Sequence, residues 1–315
     1  MPLPTLVFIP GSWHKPTCYD KIAKLLQEKH QLKCVYVSLP STTGNRAATF
    51  KDDLEAARDA ISGEIAAGLD VVVIAHSYGG MVGNSAVKGL GRPSEVAPSD
   101  SNAEESSTTG HVIGLILIAS GFTATGLAFM DPFMGRPPPS WRVNTETGFA
   151  ELVVSPRQFF YHDVPSEEAN YWVSQLTPQS LKSLFEGGEF TYSGWLDVPA
   201  WYIGTVEDQG LPVVVQRIQV GMARAMGASV EHRELPTSHS PFLSRPEETV
   251  SIIVDATEAF SGIPVQMDAR SRGLHSDIVV PAARIWPPST WYKFGVPLVL
   301  GHVIGQCISL RRIKY

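Results

Sequence analysis

Short continuous runs of aliphatic and β-branched residues alternate along the chain with longer stretches in which apolar residues recur every three or four positions. The short runs are "TLVFI" at 5 to 9, "KCVYVSLP" at 33 to 40, "VVVIA" at 71 to 75, "HVIGLILIAS" at 111 to 120 and "VPAWYIGT" at 198 to 205. A strand exposed on one face would alternate apolar and polar side chains, so runs of this kind suit strands buried on both faces of a parallel sheet. Between them, Ile22, Leu25 and Leu26 stand at helical spacing, as do Leu54, Ala57, Ile61 and Ile65. Thr49, followed three residues later by Asp52, is a capping-box pattern at the start of the second of these helices. Ser244-Arg245-Pro246-Glu247 predicts the start of a last amphipathic helix, with a capping pair and a proline in its first turn. Strands alternating with helices across residues 5 to 260 predict an open, mostly parallel α/β sheet flanked by helices.

Three stretches break the alternation. Residues 91–110, "GRPSEVAPSDSNAEESSTTG", are polar and serine-rich without period, which predicts a surface insertion. Residues 122–197 are dense in aromatic side chains and read as a cap or lid inserted between strands, leaving 1–121 and 198–262 as the core. Most rings in such a segment form its own core, and the remainder would line an apolar pocket. Residues 263–315 form a C-terminal extension of unassigned role. Its apolar run from Phe294 to Leu310 is followed by Arg311, Arg312 and Lys314, but Pro297, His302 and Gln306 interrupt it. The run is also short of the roughly 20 residues a membrane span needs. An extension packed on the domain is therefore expected ahead of membrane contact through the tail.

Composition narrows the function classes. The 315 residues are 43% hydrophobic and 18% charged, enough for a large core, and the formal charge of -6 gives no basic field for phosphates. Nucleic acid is not an expected partner. Cys18, Cys34 and Cys307 are too far apart for a CxxC pair or a disulfide framework, which suits a reducing compartment. The first residues, "MPLPTLVFIPG", have no positive n-region and no small-residue cleavage site, so a cytoplasmic protein is expected. Nothing in the sequence fixes an oligomeric state.

The run 71–75 ends in His76-Ser77-Tyr78-Gly79-Gly80 and leads into a helix of small residues. A capping serine would suit that turn. So would a nucleophile, since a sharp strand-to-helix turn exposes a serine hydroxyl above the sheet while small neighbours let strand and helix approach. Such a serine needs a base, and the base needs a carboxylate. After "VPAWYIG" comes "TVEDQGLP", with Glu207 and Asp208 at the carboxyl end of a strand, where open α/β sheets place their sites. After "SVEHRELP" comes "TSHSPFL", with His239 before the last helix. Oxyanion donors would be the backbone N–H of Tyr78, directly after the serine, and that of Ser12 in "PGSWHKP", with Trp13 as second choice. His14 in that loop reads as a solvent-facing histidine. Trp13, Phe122 and Trp172 are candidate substrate contacts. No metal or organic cofactor is implied, and a kinase or dinucleotide reading fails because no glycine-rich phosphate loop follows a strand.

These residues resemble the α/β-hydrolase superfamily across the first strand and its loop, the elbow "AHSYGG", the acid loop "YIGTVEDQGLP" and the histidine loop "SHSPFLSRPEE". The stretches "FYHDVPSEEANYWVSQLTPQSLKSL" and "YSGWLDVPAWYIGT" are similar to the esterase-like branch of plant methylesterases and hydroxynitrile lyases, and especially to its microbial and fungal members. The resemblance implies a Ser77, Asp208, His239 triad beneath a helical cap, an acyl-enzyme, and a hydrophobic small-molecule ester or thioester as substrate. Ala75 replaces the first glycine of the elbow, and Pro10 stands where the branch often has a histidine. "PTSHSPF" lacks the lysine that accompanies cyanohydrin chemistry. A cyclase or lyase of specialised metabolism, or a small-molecule-binding protein on the same fold, remain alternatives.

Overall fold

The computed structural model describes residues 2–93 and 109–265. Most of the polar insertion at 91–110, and the extension beyond Val265 with its apolar run, lie outside the described residues. Among the described residues no helix is long and apolar enough to cross a membrane.

Six strands form one parallel sheet: β1 (Thr5–Ile9), β2 (Cys34–Tyr36), β3 (Val71–His76), β4 (Val112–Ile118), β8 (Ala200–Thr205) and β9 (Val230–Leu235). Their order is β2-β1-β3-β4-β8-β9, and every neighbouring pair is parallel. The chain moves outward from β1 to β2, then returns to the other side of β1 with β3. The order therefore reverses beside the carboxyl end of β3, the place where α/β sheets open a crevice for ligands.

The apolar runs are strands because both faces are covered. In β1, Val7 and Ile9 join one core cluster and Leu6 and Phe8 the other; in β3, Val71, Val73 and Ala75 oppose Val72 and Ile74 in the same way. α2 (Phe50–Ala66) and α3 (Tyr78–Ala86) cover the first face. α1 (Asp20–His30) and α9 (Pro246–Ser261) cover the second. α7 (Val213–Ala225) contributes Val220 and Ala223 to the first face. The capping box at Thr49 and Asp52 is formed, each side chain meeting the other's backbone N–H.

Several expectations need correction. The second strand is only Cys34–Tyr36; after a last bond from the Val37 N–H to the Phe8 carbonyl the chain leaves the sheet and turns through a 3-10 helix, Pro40–Thr42. Ser244 does not cap the last helix: it ends a short helix, α8 (Pro241–Ser244), and Arg245 precedes Pro246 without a side-chain cap. On α2 the buried positions are Phe50, Asp53, Ala57, Ile61 and Ile65, so Asp53 joins the core face, with Leu54 half-buried at its edge.

Between β4 and β8 the chain builds an inserted segment that is more than helical. It carries a second, antiparallel sheet of β5 (Trp141–Asn144), β6 (Phe149–Leu152) and β7 (Gln179–Ser180). Three short helices accompany it: α4 (Pro156–Phe160), α5 (Ser166–Gln175) and α6 (Leu181–Phe185).

Candidate active site

Ser77 occupies the turn between β3 and α3 with φ 51° and ψ -124°, a conformation that a non-glycine residue holds only when its surroundings impose it. Three bonds impose it here. Its N–H donates to the Ile118 carbonyl at 3.0 Å, and its own carbonyl accepts from the Gly80 N–H at 2.9 Å and the Ser120 hydroxyl at 2.6 Å. Gly79 is required because a methyl there would overlap the Pro10 carbonyl, so α3 starts hard against the end of β1. Ala75 is tolerated because Gly83 faces it: a Cβ at Gly83 would come within 3.0 Å of the Ala75 methyl.

Asp208 follows β8 and is buried, with a complete shell of donors. Its Oδ1 accepts the backbone N–H groups of Gly210 at 2.7 Å and Leu211 at 2.8 Å. Its Oδ2 accepts from the Thr205 hydroxyl at 2.7 Å, from Gln216 Nε2 at 3.3 Å and from His239 Nδ1 at 2.7 Å. Burial alone would raise its pKa; His239 and the hydrogen-bond donors outweigh that and hold the carboxyl below its usual value. Because the carboxylate can only accept, the proton of His239 lies on Nδ1 and Nε2 is left as a base. Glu207, the other acid of the loop, is half exposed and instead stands 3.7 Å from His162.

The serine turn and the histidine loop are joined through His76. Its Nε2 lies 2.9 Å from the His239 carbonyl, and the two rings are 4.6 Å apart. A carbonyl only accepts, so His76 Nε2 carries the proton; burial, with His239 and His14 nearby, drives its pKa far below the ordinary histidine value and keeps the ring neutral. Residues 76 and 239 are thus fixed to one another directly before Ser77 and at the base itself.

The loop after β1 lies on the serine. A Cβ on Gly11 would come within 3.0 Å of Ser77 Cβ and 2.9 Å of His76 Nδ1, so the residue before buried Ser12 packs directly on the serine turn. Tyr78 follows Ser77 at the first turn of α3, so its N–H is at a helix start. Its side chain points the other way, donating to buried Asp53 at 2.7 Å. Trp13 packs near Trp141 and Phe160 and donates its indole N–H to the Ala150 carbonyl at 3.0 Å. Phe122 stacks on Tyr202, 5.7 Å between centroids, and meets Trp195 edge-on. Trp172 bonds Glu168 and lines a small pocket with His14, Cys18, Tyr161 and Leu176. Trp13 thus bridges to the inserted segment, Phe122 backs onto β8, and Trp172 stands behind His14.

Sequence reasoning missed four supports. His14 is buried rather than solvent-facing and is bonded to Ser12 and Tyr161. His76, Asp53 and Gln216 were also unassigned. Gln216 and Asp53 had left a signal, since each occupies a core-facing helical position otherwise given to apolar residues. Among the described residues no group of three or more His, Cys, Asp or Glu side chains is gathered as a metal ion would require.

A profile of the alpha/beta hydrolase family matches residues 6–252, most of the chain. The chain belongs to that family. A curated relative, the alpha/beta hydrolase nvfD of Aspergillus novofumigatus, is 27% identical over 256 residues, covering 80% of this chain and 96% of the relative. Among solved structures, a pyrethroid hydrolase from Sphingobium faniae superposes with a TM-score of 0.60 at 19% identity, covering 83% of this chain and all of its own. A methylesterase from Arabidopsis, MES16, superposes at 0.56 and 18% identity over 82% of this chain and all of its own. These structural likenesses concern the fold.

Proposed function

We propose that this hydrolase-family chain is a serine hydrolase that cleaves an ester or thioester of a hydrophobic small molecule. The observation that carries the reading is the buried Asp208–His239 pair, 2.7 Å apart, whose base is tied through His76 to the strained turn bearing Ser77. In this reading His239 Nε2 takes the Ser77 proton and the serine oxygen attacks the acyl carbonyl. The N–H groups of Ser12 and Tyr78 receive the oxyanion, and the protonated His239 then delivers the proton to the leaving group. Water, activated by the same histidine, frees the acyl group from Ser77. Asp208 holds the tautomer and stabilises the imidazolium while staying ionised. The inserted segment acts as a cap, and its Phe159 and Phe160 rings, 6.4 and 5.7 Å from the His239 ring, favour a hydrophobic substrate. A methylesterase among the structural neighbours agrees with an ester.

The test is labelling of the purified protein by a fluorophosphonate, beside Ser77→Ala, with the modified peptide identified by mass spectrometry. Labelling at Ser77 that disappears in the variant supports the reading and justifies an ester and thioester screen. A folded protein that does not label refutes an activated serine and directs the search to lyase, cyclase or binding roles on the same fold.

A further inference from the structure

The loop after β1 adopts a shape that its own sequence disfavours. Trp13 has φ 62°, a left-handed conformation that an aromatic residue reaches only under constraint. The constraint comes from the inserted segment at three points. The Ala150 carbonyl accepts the Trp13 indole N–H at 3.0 Å, the Thr177 N–H donates to the Trp13 carbonyl at 2.9 Å, and the Tyr161 hydroxyl lies 2.7 Å from His14 Nε2.

The last contact has a fixed direction. His14 Nδ1 lies 2.7 Å from the Ser12 carbonyl, which only accepts, so Nδ1 carries the proton. Burial holds the His14 pKa at about 4, against the opposing pull of the Ser12 carbonyl, so the ring is neutral and Nε2 is a bare acceptor. The buried Tyr161 hydroxyl therefore donates to it. The chain of donors runs from Tyr161 to His14 to the Ser12 carbonyl. On its other side Ser12 is held by Gly11, packed against Ser77 and His76. With the carbonyl gripped by His14 and the preceding residue gripped by the serine turn, rotation of the Ser12 backbone is confined, and so is the direction of its N–H.

We infer that His14 and Tyr161 are positioning residues, a two-bond relay through which the inserted segment aims the Ser12 amide at the oxyanion. The relay rests on the reading of Ser77 as nucleophile and Ser12 as oxyanion donor. It makes the donor dependent on the seating of residues 156–161, so any displacement of that segment would weaken transition-state stabilisation.

The relay is tested with p-nitrophenyl butyrate as ester probe and an aryl trifluoromethyl ketone, which adds Ser77 Oγ to its carbonyl and places an oxyanion in the hole. Tyr161→Phe removes one hydroxyl and leaves the ring. It is expected to lower kcat by about 10- to 100-fold, below the full loss of an oxyanion donor, with KM unchanged and ketone affinity reduced by the same factor. His14→Asn, whose amide can still reach the Ser12 carbonyl but not Tyr161, should match it, and the double variant should be no worse than either single one. A packing role alone would change stability or KM without the parallel between kcat and ketone affinity. The relay is overturned if folded Tyr161→Phe keeps kcat within twofold, or if KM rises while kcat stays. It is equally overturned if the two single losses multiply. Should Tyr161→Phe fail to fold, His14→Asn decides by the same criteria. Failure of the wild-type protein to label with fluorophosphonate overturns the hydrolase reading and the relay together; a labelled, active wild type with indifferent variants overturns the relay alone.

Discussion

Asp53 offers a charge whose cost to folding can be worked out. It is fully buried on the core face of α2, where its carboxyl accepts the Ser41 N–H at 2.9 Å and the Tyr78 hydroxyl at 2.7 Å. Burial pushes its pKa from 3.8 up to about 6, against the pull of those donors. The folded state thus holds this proton more tightly than the unfolded chain does. Between about pH 4 and pH 6 folding takes up a proton, and stability falls as pH rises. A shift of roughly two units corresponds to ~3 kcal/mol of destabilisation, complete above about pH 6 and absent below about pH 4. Asp53→Asn keeps the size and an acceptor for Ser41, and its amide N–H meets the Tyr78 oxygen much as the protonated carboxyl does, so the exchange should cost at most about 1 kcal/mol at pH 4. The variant should therefore lie within about 1 kcal/mol of the wild type at pH 4 and be the more stable protein by roughly 2–3 kcal/mol at pH 7.5. Urea unfolding followed by tryptophan fluorescence, at constant ionic strength from pH 4 to 8, measures both curves. A stability difference that stays flat across this range, or that turns further against the variant as pH rises, would refute the reasoning.

Other outcomes follow from the site. In Asp208→Asn the two backbone donors at Oδ1 fix the side-chain oxygen there, so the new amide nitrogen faces His239 and drives its proton to Nε2. The kcat for p-nitrophenyl butyrate should fall by about 10⁴-fold with little change in KM, as expected for a base held in the wrong tautomer; a loss under tenfold would contradict the tautomer argument. A methyl at Gly80 would overlap the Ser120 hydroxyl that holds the Ser77 carbonyl, whereas one at Gly114 would overlap the Phe260 ring beneath the other face of the sheet. Both substitutions to alanine should cost about 1–3 kcal/mol in thermal unfolding, but only Gly80→Ala should also depress kcat per folded molecule. Thr49→Ala removes the capping box of α2 and should cost about 1 kcal/mol, with turnover unchanged; a drop in kcat would mean that α2 communicates with the serine more directly than its packing implies.

What could be read in advance was what elementary burial dictates. Strands covered on both faces had to be continuous apolar runs, and β1, β3, β4 and β8 were found where such runs stood. The positions of Ser77, Asp208 and His239 were legible because each follows a strand, in the chain order that this fold uses. The antiparallel sheet of the inserted segment was not legible. β5 and β6 have four residues each with mixed exposure, too few for an alternation to be distinguished from a loop. The shortness of β2 was hidden because Leu39 stays buried after the last bond to β1, from the Val37 N–H to the Phe8 carbonyl, so burial outlasts the strand.

The most informative failures were polar residues standing at apolar positions. On α7 the buried face runs Gln216, Val220, Ala223, and on α2 it runs Phe50, Asp53, Ala57, Ile61. A buried amide or carboxylate is retained only where its hydrogen bonds are met, so each of these residues had to have a partner inside the domain. Gln216 meets Thr205 and Asp208, and Asp53 meets Tyr78, the residue that follows Ser77. Both interruptions of the helical pattern therefore lead to the carboxyl ends of β3 and β8. His14 shows the same logic without a helical period to reveal it: a histidine buried at the end of β1 has its two ring nitrogens committed to Ser12 and Tyr161. Polar groups are buried elsewhere too, as at Glu234, which pairs with Arg217 beside His232, and along α9 at Glu248 and Thr257, so a polar residue at core spacing announces a buried hydrogen-bond partner and not the site by itself. What turns Gln216 and Asp53 into pointers to the candidate site is where their partners stand, at Asp208 after β8 and at Tyr78 directly after Ser77.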